Sequence, residues 1–326
     1  MNKLTTFILC QLLLGWFILA TVAQPLTSRT TMANSYLERG NAWFAKSAYE
    51  QAEADFDLAI ASDSGSAGAY YNRAITRFRV GKLAEALADF DRTLKLDSRR
   101  VEAHVNRSNV RYKLGDLDGA LNDLNQALEL NPRHAAAQAN RGVMRNLKGD
   151  DQGALADFDH AFKLGLRSAE LYNQRGVVRF HLKDYDGAIS DQAQALKLKP
   201  DFAEALSDRG AARQIWGDLA GALADYNQAI ELNPRLGDAW FNRGTYWKNK
   251  GDWQRAEADF SQAIGRQSHL TEAYALRGLV RLWQNRVDEA QQDFDRCLAL
   301  NPKLKQSLER LIAATNQQLA KRSPLH

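Results

Sequence analysis

Residues 203–236 read AEALSDRGAARQIWGDLAGALADYNQAIELNPRL. In the second half of this stretch Leu219, Ala222, Leu223, Tyr226, Ala229 and Ile230 recur at steps of three and four, which is one face of an α-helix. Gly217-Asp218 stands before that helix and Asn233-Pro234 after it. Glycine ends a helix in left-handed geometry, aspartate caps the next N-terminus, and proline is tolerated only in a first helical turn. The stretch therefore predicts two helices joined by a tight turn, with a new helix opening beyond Pro234.

The pattern is periodic. Arg209 has counterparts at Arg39, Arg73, Arg107, Arg141, Arg175, Arg243 and Arg277, each 34 residues from the next. Eight units fill residues 33–304, as 33–66, 67–100, 101–134, 135–168, 169–202, 203–236, 237–270 and 271–304. An unbroken alanine column, Ala52 to Ala290, shares the period, and the residue after each arginine is always Gly, Ala or Ser. Small side chains at fixed positions let helix backbones approach closely, so the period is a packing period. A length of 326 residues would suggest about two ordinary domains at roughly 150 residues each; the repeat predicts one all-α array instead.

Numbered within the unit, aromatic Tyr36, Tyr70, Tyr172, Trp240 and Tyr274 stand at position 4 and the alanine column at 20. Phe56, Phe90, Phe158, Tyr226, Phe260 and Phe294 stand at 24, and Pro132, Pro200, Pro234 and Pro302 at 32. On these residues the chain resembles the tetratricopeptide repeat family. The resemblance implies a right-handed superhelical solenoid of eight helical hairpins with a concave groove for a peptide or partner helix. After the eighth unit, Leu304, Leu308, Leu311, Ile312 and Leu319 predict a capping helix over 305–322, with a tail at 323–326.

The chain opens with Lys3, an apolar run from Phe7 to Ala20 and a small residue, Ala23, before Pro25. That order predicts a secretory signal at 1–23, with an uncleaved membrane anchor as the alternative, and a linker at 24–32. The repeats are accordingly expected outside the cytoplasm, periplasmic or secreted.

Two columns depart from the family pattern. Arginine fills position 7 throughout and returns at position 11 in Arg77, Arg111, Arg145, Arg179, Arg213 and Arg281, with Trp43 and Trp247 interrupting. Position 23 is always aspartate: Asp55, Asp89, Asp123, Asp157, Asp191, Asp225, Asp259 and Asp293. A buried charge must be paired, so Arg73, Arg107, Arg141, Arg175, Arg209 and Arg243 are expected to meet Asp89, Asp123, Asp157, Asp191, Asp225 and Asp259 in a structural ladder. The alternative is a basic binding stripe.

The resemblance assigns positions 2, 5, 6, 9, 12 and 13 of the first helix to the groove. Position 6 carries the primary amides Asn72, Asn106, Asn140, Gln174 and Asn242, beside Asn109 at position 9. A primary amide can pair with a peptide bond whatever the ligand's side chains; alternatively it bonds its own neighbours. Phe44, Tyr71, Phe78, Tyr112, Phe180 and Phe241 are the candidate apolar contacts, concentrated in repeats 1, 2, 3 and 5, unless they pack between repeats. Position 5 has no lysine, which disfavours the carboxylate clamp by which some relatives hold acidic tails.

No motif for catalysis appears. The six histidines fall at unrelated positions, and Cys10 and Cys297 form no metal or redox motif. No cofactor or metal is expected. The net charge of +4 hints at nucleic acid, yet the two arginine columns and the aspartate column account for more than that excess. The expected function is a non-enzymatic scaffold for a protein or peptide partner. A nucleic-acid-binding helical repeat and a self-associating architectural solenoid are the alternatives.

Overall fold

A computed structural model describes residues 26–322. The expected signal or anchor at 1–23 and the tail at 323–326 lie outside the described residues. The chain divides into two compact units, one ending at Ala137 and the other beginning at Gln138.

Every described element is helical. The first unit holds the hairpins α1 (Leu26–Ala45) with α2 (Tyr49–Ser62), α3 (Ala67–Arg79) with α4 (Leu83–Leu96), and α5 (Val101–Lys113) with α6 (Leu117–Leu130). Helix α7 (Ala135–Leu147) pairs in sequence with α8 (Asp151–Lys163). In the second unit follow α9 (Ala169–His181) with α10 (Tyr185–Leu198), α11 (Ala203–Trp216) with α12 (Leu219–Leu232), α13 (Gly237–Lys250) with α14 (Trp253–Arg266), and α15 (Thr271–Trp283) with α16 (Val287–Leu300). A short 3-10 turn over Pro302–Leu304 leads into α17 (Lys305–Arg322). Helix α1 begins seven residues before the first repeat boundary, so most of the segment expected as a linker, 26–32, is helical.

The hairpin turns follow from their residues. Gly81, Gly115, Gly149, Gly217 and Gly251 have φ between 78° and 102°. Asp116, Asp150, Asp184 and Asp218 each accept a hydrogen bond from the backbone N–H three residues on, capping the second helix. At the far end Asn131, Asn233 and Asn301 accept from the N–H two residues on, bridging over a proline that has no N–H to give.

Within each unit the core is a stack of small and aromatic groups. The position-20 alanines are buried in all eight repeats, and Phe56, Phe90, Phe158, Tyr226, Phe260 and Phe294 are at most 3% exposed. The glycine at position 8 makes room for that ring: a Cβ on Gly142 would come within 2.7 Å of Phe158, and one on Gly244 within 2.9 Å of Phe260. Burying such a ring is worth roughly 1.5–3 kcal/mol, and the close helix approach depends on the missing Cβ. Cys297 occupies the small column at position 27 and is buried there as a free thiol.

Helix α17 packs Leu308, Ile312 and Leu319 against Tyr274, Phe294 and Cys297 of repeat 8. Leu311, assigned to the same stripe from sequence, is exposed, and Thr315 is buried in its stead. Positions 308, 312, 315 and 319 follow the helical period, whereas 311 lies off that line.

Candidate peptide-binding face

The first helices are held in place by their charges. Each position-7 guanidinium grips the position-23 carboxylate of its own repeat with two hydrogen bonds. In the first unit Arg73 meets Asp89 at 2.9 and 2.6 Å, and in the second Arg141 meets Asp157 at 2.9 and 2.7 Å and Arg243 meets Asp259 at 2.8 and 2.8 Å. Arg39, Arg107, Arg175, Arg209 and Arg277 make the same fork to Asp55, Asp123, Asp191, Asp225 and Asp293. A third N–H reaches the same carboxylate from position 11, as from Arg77 to Asp89 and Arg145 to Asp157, both at 2.8 Å. In repeat 1, where position 11 is tryptophan, the Trp43 side chain hydrogen-bonds to Asp55 instead.

Two further partners were not legible from the paired columns. The remaining guanidinium nitrogen of Arg73 reaches back to Asp57 of the preceding repeat at 2.5 Å, Arg107 to Asp91 at 2.7 Å, and Arg175 to Asp159 at 2.7 Å. Where that position is not acidic, Arg243 takes Asn227 and Arg277 takes Ser261. The position-4 aromatic also faces the guanidinium one helical turn away, Trp240 at 4.9 Å from Arg243 and Tyr70 at 5.5 Å from Arg73. The arginine thus ties helix to helix and repeat to repeat, and its charge is consumed inside the fold.

The carboxylates respond to this setting. Hydrogen bonding from Arg39 holds the Asp55 carboxyl below its ordinary value. At Asp123 burial pushes the pKa up, but the polar contact with His104 at 3.6 Å, hydrogen bonding from Arg107 and the charges of Arg107 and Arg111 outweigh it, and the net direction is down.

Opposite the ladder lies the face expected to bind. In the first unit Asn72 donates to Asn41 Oδ1 at 2.6 Å, and Asn106 donates to the Tyr71 hydroxyl at 2.9 Å. Phe44 meets Tyr49 edge-on at 5.5 Å and, with Asn41, Phe56, Asn72 and Ile75, lines a pocket of about 220 Å³. Tyr71 packs on Phe90, with the Arg100 guanidinium 4.0 Å from its ring centre. Phe78 is half-buried on the Phe90 cluster, and Tyr112 is exposed. Asn109 and, in the second unit, Asn140 are engaged within the fold.

In the second unit Asn242 donates to Ser207 Oγ at 3.0 Å, Phe180 meets Tyr185 edge-on at 5.6 Å, and Phe241 lies tilted on Phe260 at 5.8 Å. Gln174 is half-buried. Phe180, Phe241 and Asn242 come together on a cavity of about 350 Å³ lined from repeats 5 to 8, which Asn140 and Gln174 do not line. The sequence reading placed apolar contact mainly in repeats 1, 2, 3 and 5. The structure gives the second unit the larger cavity on this face, because column 24, aromatic in six repeats, holds Gln192 in repeat 5. Gly176 is still a glycine, yet what a Cβ there would meet is the Gln192 amide nitrogen, at 2.8 Å, and not a ring.

Asp208, Asp238 and Glu272 complete the lining. Burial pushes the Asp208 carboxyl up to about 7, with Asp238 and Glu204 adding repulsion and a hydrogen bond to Asn173 opposing it. Asp208 lies in the position-6 column, where amides predominate, whereas Asp238 and Glu272 lie at position 2, which is acidic in five of the eight repeats and takes no part in the ladder.

A stack of helical hairpins with a charge-paired interior and a pocketed first-helix face defines a class of repeat scaffold. Family profiles described as tetratricopeptide repeat match residues 65–131, 105–162, 169–202 and 248–305, and one described as TPR repeat matches 216–250. The chain belongs to the tetratricopeptide repeat family. Among solved structures it is similar to a tetratricopeptide repeat protein from Parabacteroides merdae, with 21% identity, 77% of this chain and 99% of that one covered, and a TM-score of 0.61. PilF of Pseudomonas aeruginosa shares 17% identity, covering 69% and 99%, at a TM-score of 0.59. A chain of the APC/C Cut9–Hcn1 hetero-tetramer shares 14%, covering 85% and 55%, at 0.63. At these identities the likeness is one of fold. No curated protein matches the chain.

Proposed function

We propose that the protein is a non-enzymatic scaffold that holds an extended segment of a partner polypeptide on its first-helix face, and that it works outside the cytoplasm. The observation that carries this reading is the face itself: half-buried aromatics and primary amides at fixed positions, with a pocket in each unit. Asn72, Asn106 and Asn242 each give one N–H to a neighbour, and an amide has a second N–H and a carbonyl for a peptide backbone. The ladder supports the reading by making this face a rigid platform, so that little ordering entropy is lost on binding.

The location outside the cytoplasm rests on residues 1–23, whose basic start, apolar stretch and Ala23 follow the order of a secretory signal. Among the described residues no helix is long and apolar enough to cross a membrane. A mass of the native protein lacking residues 1–23 is the expected result; an intact N-terminus argues for an anchor or for no export.

The binding face is tested by photo-crosslinking in cells from positions 78, 112 and 211, with position 62 as a control on the far end of a second helix. Crosslinks to one polypeptide from the first-helix positions support the proposal. Crosslinks from position 62 alone overturn it.

A further inference from the structure

The cavity in repeats 5–8 has a polarity of its own. Its floor is Gln192, 1% exposed, whose Oε1 has no hydrogen-bond partner, although its amide nitrogen reaches the Asn173 carbonyl at 3.4 Å. The side chain of Asn173 beside it is also buried, with Oδ1 unpartnered. An unsatisfied buried acceptor costs about 1–3 kcal/mol, so a donor entering the cavity is favoured. Phe180 and Phe241 form apolar walls, and the half-buried Asp208 and the exposed Asp238 and Glu272 also line the cavity. Among the described residues that line it there is no lysine or arginine.

We propose that this cavity receives a basic side chain, lysine or arginine, of the polypeptide held on the first-helix face. The inference rests on the scaffold reading and adds the chemistry of its anchor. The aliphatic stem lies between Phe180 and Phe241, the cation faces the carboxylates, and its N–H groups reach Gln192 Oε1. At about 350 Å³ the space is at the small end of ligand cavities and suits one side chain. Aromatic walls add cation–π attraction, and the acids exclude an acidic segment.

The cavity exists because an amide replaces a ring, and this supplies the test. Gln192→Phe restores the residue that five other repeats carry at this position, against a glycine that accepts it. A phage-displayed random dodecapeptide library is panned on the immobilised full chain, and one enriched peptide is resynthesised with each basic residue replaced by norleucine. Enriched peptides are expected to share a lysine or arginine. Its replacement by norleucine, or Gln192→Phe in the protein, is expected to weaken binding by about tenfold or more. If Gln192→Phe does not fold, the exposed pair Asp238→Asn with Glu272→Gln gives the same readout. Binding that is indifferent to these changes overturns the basic anchor and leaves the scaffold reading standing. Library enrichment no greater than on an unrelated helical protein overturns the scaffold reading and the anchor with it. Spermidine binding as tightly as the peptide overturns the assignment to a polypeptide.

Discussion

At the scale of the residue, two aspartates in one chain face opposite fates. Asp157 is 3% exposed and receives two hydrogen bonds from Arg141 and one from Arg145. Removing its charge leaves buried guanidinium groups without their counter-ion. Asp157→Asn is expected to cost about 3–5 kcal/mol, read as a lowered urea midpoint; an unchanged midpoint means that the ladder does not stabilise the fold. Asp208 has no cation beside it, and burial raises its carboxyl to about 7, whereas in an unfolded chain an aspartate titrates near 4. Between those values the folded state holds a proton that the unfolded state has released. Asp208 therefore lowers stability progressively as the pH rises through that window, with the full loss present above it. Asp208→Asn is expected to stabilise the protein by about 1–3 kcal/mol near pH 8 and by less than about 0.5 kcal/mol near pH 4. Equal gains at both pH values would show that Asp208 is not held neutral. Asp55 and Asp123 carry the opposite sign, since their pKa values are lowered. Their contribution is present above the unfolded value and disappears as the pH falls below it.

At the scale of the element, the hairpin turn shows how far sequence reading reached. Gly-Asp marked the turns in repeats 3, 4, 6 and 7, and there the backbone is left-handed at glycine. Ser47, Lys183 and Asn285 adopt the same geometry, with φ of 57° to 64°. The neighbouring helices impose the turn, and asparagine tolerates it best of the three. Lys183→Gly is expected to stabilise the protein by about 0.5–1 kcal/mol, since it relieves a strained side chain at some entropic cost; destabilisation in a thermal melt would show that Lys183 is unstrained. Helices, turns and capping aspartates were legible because each depends on a few adjacent residues. The ladder was legible because two charged columns shared a period. The reach of Arg73 back to Asp57 was not, because it joins neighbouring repeats and no local spacing encodes it. The cavity was hidden for another reason: it lies at Gln192, one of two breaks in an aromatic column, the other being Leu124, rather than at a motif. In the cap, Leu308 seals Tyr274 and Phe294, and Leu308→Ala is expected to cost about 2–4 kcal/mol. Hydrogen exchange should then quicken in repeats 7 and 8 and hold constant in α1–α6, because repeats in such arrays are stabilised mainly by their neighbours. Uniform quickening over all helices would count against that local coupling.

At the scale of the whole molecule the question is what a net charge of +4 and a pI near 9.0 report. A basic surface attracts phosphate, and binding there releases counter-ions in proportion to the free cations that make contact. In this chain fourteen arginines at positions 7 and 11 are each within hydrogen-bonding or ion-pair distance of a position-23 aspartate. A guanidinium already paired to a carboxylate in the fold has few condensed counter-ions to exchange and little freedom to turn outward. Outside the three columns acidic residues slightly outnumber basic ones. The excess positive charge is therefore a property of the interior, and the surface is close to balanced. A single-stranded RNA 20-mer is expected to bind the full chain more weakly than about 100 μM at physiological salt, with a log–log salt slope corresponding to fewer than about two phosphate contacts. A steep slope with tight binding would mean that the arginine columns are available to solvent, which would remove the ladder and the polypeptide reading together.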